Sequence, residues 1–186
     1  MTGFREAVWA GVAPDALPEA FAPRRAWLLA RIPPHARVLD LGCGDGAFAA
    51  ELVANGAEVL GVDVAAAAIE RARARVPGAE FRQVAEGDPL PVGNGWADVV
   101  WAGEVLEHVV DVPGTLADVR LALKPGGTLL ATTPAHGPLL TRTSNLSPSS
   151  DHLRFFTRRS LYALLTDQFL NVTIRRRRGR LHACAS

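Results

Sequence analysis

From Ala36 onward, short runs of apolar and β-branched residues alternate with longer stretches rich in helix-forming residues. The strand-like runs fall at 37–41, 58–62, 80–84, 97–101 and 127–133. Between them lie AFAAELVANG, AAAAIERARARVPG and VPGTLADVRLALKPGG, each ending in Gly or Pro-Gly, a common helix stop. Strand and helix in alternation, joined by short connections, predict a parallel sheet covered on both faces. After Thr133 the alternation breaks. PAHGPLLTRTSNLSPSS reads as a long, lid-like connection over 134–152, and TRRSLYALLTD as a helix with Thr157 as its N-cap. The final FLNVTIRRRRGRLHACA reads as two strands about Gly179, a hairpin joined to the sheet. Before the first strand, residues 1–34 read as two short helices, broken around Pro14 and Pro18, that form a helical lid.

Composition narrows this further. A chain of 186 residues, 48% hydrophobic, suffices for one domain with a sizeable core. The formal net charge of +1 singles out neither nucleic acid nor an acidic membrane. Cys43 and Cys184 lie far apart, without zinc-site spacing, and a disulfide between them stays open. The N-terminus lacks a basic stretch followed by an apolar run, and no segment approaches membrane-spanning length. The expectation is a soluble cytoplasmic protein, monomer or homodimer, with no membrane partner.

VLDLGCGDGAF, 38–48, carries the first chemistry. Gly42, Gly44 and Gly46 let a ligand approach bare backbone before a helix N-terminus. Gly42, Gly44 and Ala47 also satisfy the loose dinucleotide spelling, and spacing alone does not choose between ligands. The acids do. Asp40 ends the first strand, where a pyrophosphate is repelled and an ammonium or sulfonium cation is attracted. Asp63 ends the second, suited to accept from two ribose hydroxyls. Glu86 follows the third, with Asp88 competing, suited to accept from an adenine amino group. These acids around one glycine turn fit a cationic adenosine ligand, S-adenosylmethionine.

The chain from about residue 36 to its end resembles the class I S-adenosylmethionine-dependent methyltransferases, and among them the ubiquinone-pathway O-methyltransferases. VLDLGCGDG is similar to their first motif and VLGVD to their second. WADVVWAGEVLEHVVD is similar to the segment around their fourth strand, and LALKPGGTLLATTP to the fifth with its lead-in. The resemblance implies an α/β, Rossmann-like, doubly wound, seven-stranded, mostly parallel sheet with a C-terminal antiparallel hairpin. It implies a cofactor pocket from Asp40, Gly42, Cys43, Gly44, Asp63, Val64, Glu86 and Gly103. It also suggests Arg24 or Arg25 for the cofactor carboxylate, against the plainer reading of a solvated helix arginine. Ala97-Asp98 stands where the family has Phe-Asp, a departure expected to affect packing.

Methyl transfer from a sulfonium needs an aligned nucleophile and, for a hydroxyl, a proton acceptor. His108 is the first candidate for a general base, with His136 and His152 behind it. If EVLEH is helical, Glu104, Glu107 and His108 share one face. With His152 they could hold a divalent cation that chelates vicinal hydroxyls, as the resemblance to catechol and small-RNA 2′-O-methyltransferases implies. The plainer reading has these side chains shaping the pocket without a metal. RRRRGR, 175–180, reads as a hairpin end projecting into water, and also suits a phosphorylated small acceptor. It lacks the stacking aromatics of an RNA footprint, which stays a secondary option. The leading expectation is an enzyme methylating an oxygen or nitrogen of a small molecule. Its rivals are a metal-assisted O-methyltransferase, a non-catalytic cofactor-binding or scaffold module, and a dinucleotide oxidoreductase.

Overall fold

Seven strands and six helices account for the regular structure of the computed structural model, which describes residues 2–13, 16–135 and 152–186. The strands are β1 (Arg37–Leu41), β2 (Glu58–Asp63), β3 (Glu80–Gln83), β4 (Ala97–Gly103), β5 (Leu123–Pro134), β6 (Val172–Arg177) and β7 (Arg180–Ala185). The helices are α1 (Thr2–Gly11), α2 (Phe21–Leu29), α3 (Ala47–Ala54), α4 (Ala66–Arg75), α5 (Val112–Ala122) and α6 (Arg158–Thr166). They build one sheet in the order β3-β2-β1-β4-β5-β7-β6. β1 to β5 run parallel, and β7 enters antiparallel between β5 and β6. This is the doubly wound α/β sheet with a C-terminal antiparallel hairpin that the chain predicts.

Alternation along the strands divides the core between two faces. Leu39, Leu60, Val100, Leu129 and Ala183 pack under α5 and α6 through Leu116, Val119, Leu161 and Leu165. Val38, Val59, Val99, Trp101 and Leu130 pack on the other face against Trp27 and Leu28 of α2, Leu52 of α3 and Ile69 of α4. α2 is therefore part of the core. Its Trp27 and Leu28 are buried against the sheet, while Arg24 on the same helix reaches the cleft. Only α1 lies further out, against α4. Glu6 of α1 accepts from the backbone N–H groups of Ala66 (2.6 Å) and Ala67 (3.2 Å), serving orphan donors that Ala65 at the N-cap cannot.

At the chain's far end, Thr157 caps α6 as the sequence suggests, accepting from Ser160 N at 3.1 Å. Phe156 is buried and bridges to Ala135. Asp98 accepts from Arg37 N at 2.7 Å and pairs with Lys124, tying β4 to the starts of its neighbours. Both cysteines are free thiols. Most of the lid-like connection, His136 among it, lies outside the described residues.

Candidate active site

At the carboxyl ends of β1, β2 and β4 the strands open into a cleft of about 1260 Å³, the place where doubly wound sheets take their ligands. Its floor is the turn after β1. Gly42 (φ +66°) and Gly44 (φ +54°) both adopt left-handed backbone there. A Cβ on Gly42 would meet Val105 at 2.5 Å, and one on Gly44 would meet Trp9 of α1 at 2.8 Å. Both glycines are thus demanded by conformation and by space. Trp9 also lines the cleft, so α1 closes over the glycine turn.

Asp63, at the end of β2, is tied into this turn. Its carboxylate accepts from Gly44 N and from Ala65 N, both at 3.0 Å. Cys43, Val64, Glu86 and Gly103 line the same cleft. Glu86 is exposed and accepts from Val110 N at 3.0 Å. Asp40 is placed differently. It is only 2% exposed, lies beneath the floor and is not part of the lining, and its Oδ2 has no hydrogen-bond partner among the described residues. Burial, then the charge of Asp63, pushes its carboxyl up to about 8, against the pull of Arg24.

The opposite wall departs from the helical reading of EVLEH. Residues 104–108 form a tight turn, with Glu104 at φ +62° and His108 N donating to Val105 O at 2.9 Å. Glu104 therefore leaves Glu107 and His108. Its carboxylate accepts from Arg180 Nε at 3.1 Å and lies 4.0 Å from Arg24 Nε. Glu107, His108 and His152 do converge, each offering one ligand atom within 4.8 Å of the others. The rings of His108 and His152 stand 4.7 Å apart, edge to face. Leu153 N donates to Glu107 O at 2.9 Å, and Arg154 reaches the carbonyls of Val109 and Val110, clamping the His152 segment onto the turn. Glu107 is 1% exposed; Thr133 and its own backbone N–H lie by the carboxylate and favour its charged form, though neither oxygen makes a hydrogen bond of full geometry among the described residues. Burial, then the charge of Glu104, pushes it up to about 8.

Arg24 is not the solvated helix arginine of the plainer reading. It is 2% exposed, with its guanidinium 4.7 Å from the Phe48 ring centroid. Nε donates to Thr132 Oγ1 (3.1 Å) and Nη1 to Glu19 O (3.2 Å). Nη2 has no partner among the described residues and lies 2.5 Å from where a Gly103 Cβ would fall. Burial holds it below its ordinary value while Glu104 opposes. Arg25 instead pairs with Glu51 at 2.5 Å. Arg180 was hidden in its basic run; it is buried, bridging Glu104 to Glu19 at 2.8 Å.

A family model described as a methyltransferase domain matches residues 15–173. The chain belongs to this family. Its place within it is among the class I, S-adenosylmethionine-dependent methyltransferases. The ubiquinone biosynthesis O-methyltransferase of Acinetobacter baylyi is 33% identical over 107 residues, 55% of this chain and 45% of that protein. The biotin biosynthesis bifunctional protein BioHC of Cellvibrio japonicus is 32% identical over 104 residues, 56% of this chain and 21% of that protein. The chain thus spans less than half the length of these curated relatives. A TehB-like SAM-dependent methyltransferase from Corynebacterium glutamicum has the same fold, with a TM-score of 0.70 at 19% identity over 99% of this chain and 94% of that one. So does the PH0226 protein from Pyrococcus horikoshii, with a TM-score of 0.76 at 19% identity, over 96% and 98%. Among the described residues, no helix is long and apolar enough to cross a membrane.

Proposed function

We propose that the chain transfers a methyl group from S-adenosylmethionine to an oxygen or nitrogen of a small molecule. One observation carries this reading: the glycine turn, Asp63 and Glu86 share a single cleft with the polar corner of Glu107, His108 and His152. The residues fit the cofactor. Gly42 and Gly44 line the cleft with left-handed backbone and no side chain, which supports close backbone approach by its methionine part. Asp63 suits the ribose hydroxyls, with Val64 beside it, and Glu86 suits the adenine amino group. Cys43 and Gly103 complete the wall. Arg24 Nη2, unpartnered beside Gly103, suits the cofactor carboxylate. Asp40, from beneath the floor, adds negative potential once ionised.

Bound there, the cofactor supplies a methyl on a positively charged sulfur, with a neutral thioether as the leaving group. What this chain adds is alignment and proton management. A nitrogen of the His108 imidazole takes the proton that the acceptor hydroxyl or amine loses as it attacks. His152, edge-on to His108, limits the ring's orientation. α1 keeps water from the glycine turn through Trp9. The direct test is to incubate the protein with the cofactor and a panel of phenols, amines and carboxylic acids, recording methylated product by mass spectrometry. Cofactor consumption with product on any of these supports the reading; cofactor binding with no product on any supports a non-catalytic module.

One observation favours a metal-assisted variant. The buried carboxylate of Glu107 beside two imidazoles is a donor set that a divalent cation would satisfy. Glu107, His108 and His152 would hold it, and it would lower the pKa of a chelated hydroxyl. Turnover that survives exhaustive chelation would exclude this variant.

A further inference from the structure

Behind Arg24, away from the glycine turn, lies a second hollow of about 580 Å³ between α2 and the tip of the β6–β7 hairpin. Arg24 lines both hollows, so the two adjoin. Strand pairing builds this one: Arg180 stands opposite Pro134 and His182 opposite Thr132, so both sit by the carboxyl rim of the sheet. Its walls carry Arg31, Arg177, Arg178, Arg180, His182 and Trp27. The acids beside it, Glu19 and Glu104, are both engaged by Arg180. Arg31, Arg177 and Arg178 have no carboxylate partner among the described residues. Arg31 folds over Trp27, its guanidinium 4.6 Å from the ring centroid, and donates to Trp27 O at 2.8 Å. His182 is 6% exposed, its ring 4.9 Å from that of Trp27, and its Nδ1 has no partner among the described residues. Burial, then Arg177 and the other guanidiniums, pushes the imidazole down to about 4, so it is neutral at pH 7. In a chain of net charge +1, this gathering of unbalanced cations around a buried, unsatisfied polar group is local and specific.

We infer that this hollow is an anion subsite of the acceptor pocket, seating a phosphate monoester on a small acceptor. The inference rests on the methyltransferase reading and narrows its substrate class. Phosphate suits the site because its double charge answers several guanidiniums at once. Arg177 and Arg178, exposed at the hairpin tip, close on the anion, and His182 contributes one hydrogen bond. Ring-bearing acceptors gain Trp27 as a neighbour.

The test uses the full chain saturated with S-adenosylhomocysteine, whose own affinity is measured first by calorimetry. Phenyl phosphate is then titrated at constant ionic strength while the His182 imidazole and Trp27 indole resonances are followed by NMR. The expected result is a saturable shift of both, absent with phenol. It should weaken at least tenfold in the R177Q/R178Q double variant, whose S-adenosylhomocysteine affinity stays unchanged. Three results overturn the inference: no saturation, an equal response to phenol or sodium chloride, or an undiminished response in the double variant. Tenfold tighter binding of a single-stranded RNA through the same arginines also overturns it, assigning the site to a nucleic-acid backbone. Failure to bind S-adenosylhomocysteine removes the methyltransferase reading and this inference together; intact cofactor binding without a phosphate response removes this inference alone.

Discussion

Replacing Asp40 by asparagine should make the protein more stable and its cofactor site worse. The carboxyl is 2% exposed, and burial with the charge of Asp63 raises it from 3.8 to about 8. At pH 7 the folded chain keeps a proton that the unfolded chain has released. Holding that proton costs roughly 1.4 kcal/mol for each pH unit between 3.8 and 7, or about 4 kcal/mol. Asparagine preserves the shape and removes this cost. Its amide hydrogens lack a ready partner at the Oδ2 position, which costs back roughly 1–3 kcal/mol. The net gain for Asp40→Asn at pH 7 is about 1–3 kcal/mol. The sign follows from the raised value. The carboxyl's contribution to folding is fully present below 3.8 and is lost as pH rises through about 8. The variant should therefore be the less stable of the two near pH 4, overtake the parent as pH climbs, and lead it by a constant amount above 8. Urea unfolding at a series of pH values measures the gap. A variant less stable than the parent at pH 7, or a gap independent of pH, would refute the reasoning. The same acid should ionise when a sulfonium binds above it. Calorimetry at pH 7 in buffers of different ionisation enthalpy should then record proton release in the parent and none in the variant. Asp40→Asn should also lose more affinity for S-adenosylmethionine than for its uncharged thioether product.

The glycine turn, its ribose-side acid and the α4 cap each yield a simpler expectation. Gly42→Ala forces a Cβ to within 2.5 Å of Val105 at φ +66°; thermal unfolding should show a loss of about 2–4 kcal/mol, strain and overlap combined. Asp63→Ala removes the acceptor for Gly44 N and Ala65 N, and should weaken S-adenosylhomocysteine binding tenfold or more by calorimetry, on the order of 1.4 kcal/mol. Unchanged affinity there would remove the ribose assignment. Glu6→Ala strips α4 of its borrowed cap, and should cost about 1 kcal/mol in urea unfolding. A matching rise in hydrogen exchange at Ala66 and Ala67 would locate the loss.

The sequence conveyed those features that local chemistry dictates and missed those that depend on distant pairing. Strands β1, β2, β4 and β5 were visible in their apolar runs, because most of each is buried and glycine or proline flanks it, whereas β3 is an edge strand with only Phe81 buried. The glycine turn was legible because left-handed backbone restricts residue choice so strongly. Glu104 was misread for the opposite reason. Glu-Val-Leu-Glu-His satisfies helical spacing, yet the chain must turn sharply as β4 ends, and the long-range ion pair with Arg180 holds Glu104 at φ +62°. Nothing within several residues of either partner announces that pair, which spans 76 positions. Arg24 was hidden in the same way. Its burial depends on α2 lying across Trp101 and on Thr132 offering a hydroxyl 108 positions away. Both arginines meet at Glu104, one from α2 and one from β7. That carboxylate therefore couples the N-terminal helices to the C-terminal hairpin at the edge of the cleft. Removing it would leave two buried guanidiniums facing each other, a larger penalty than the lost bonds alone. Glu104 is thus better understood as the strut that keeps Arg24 beside Gly103 than as a ligand for metal.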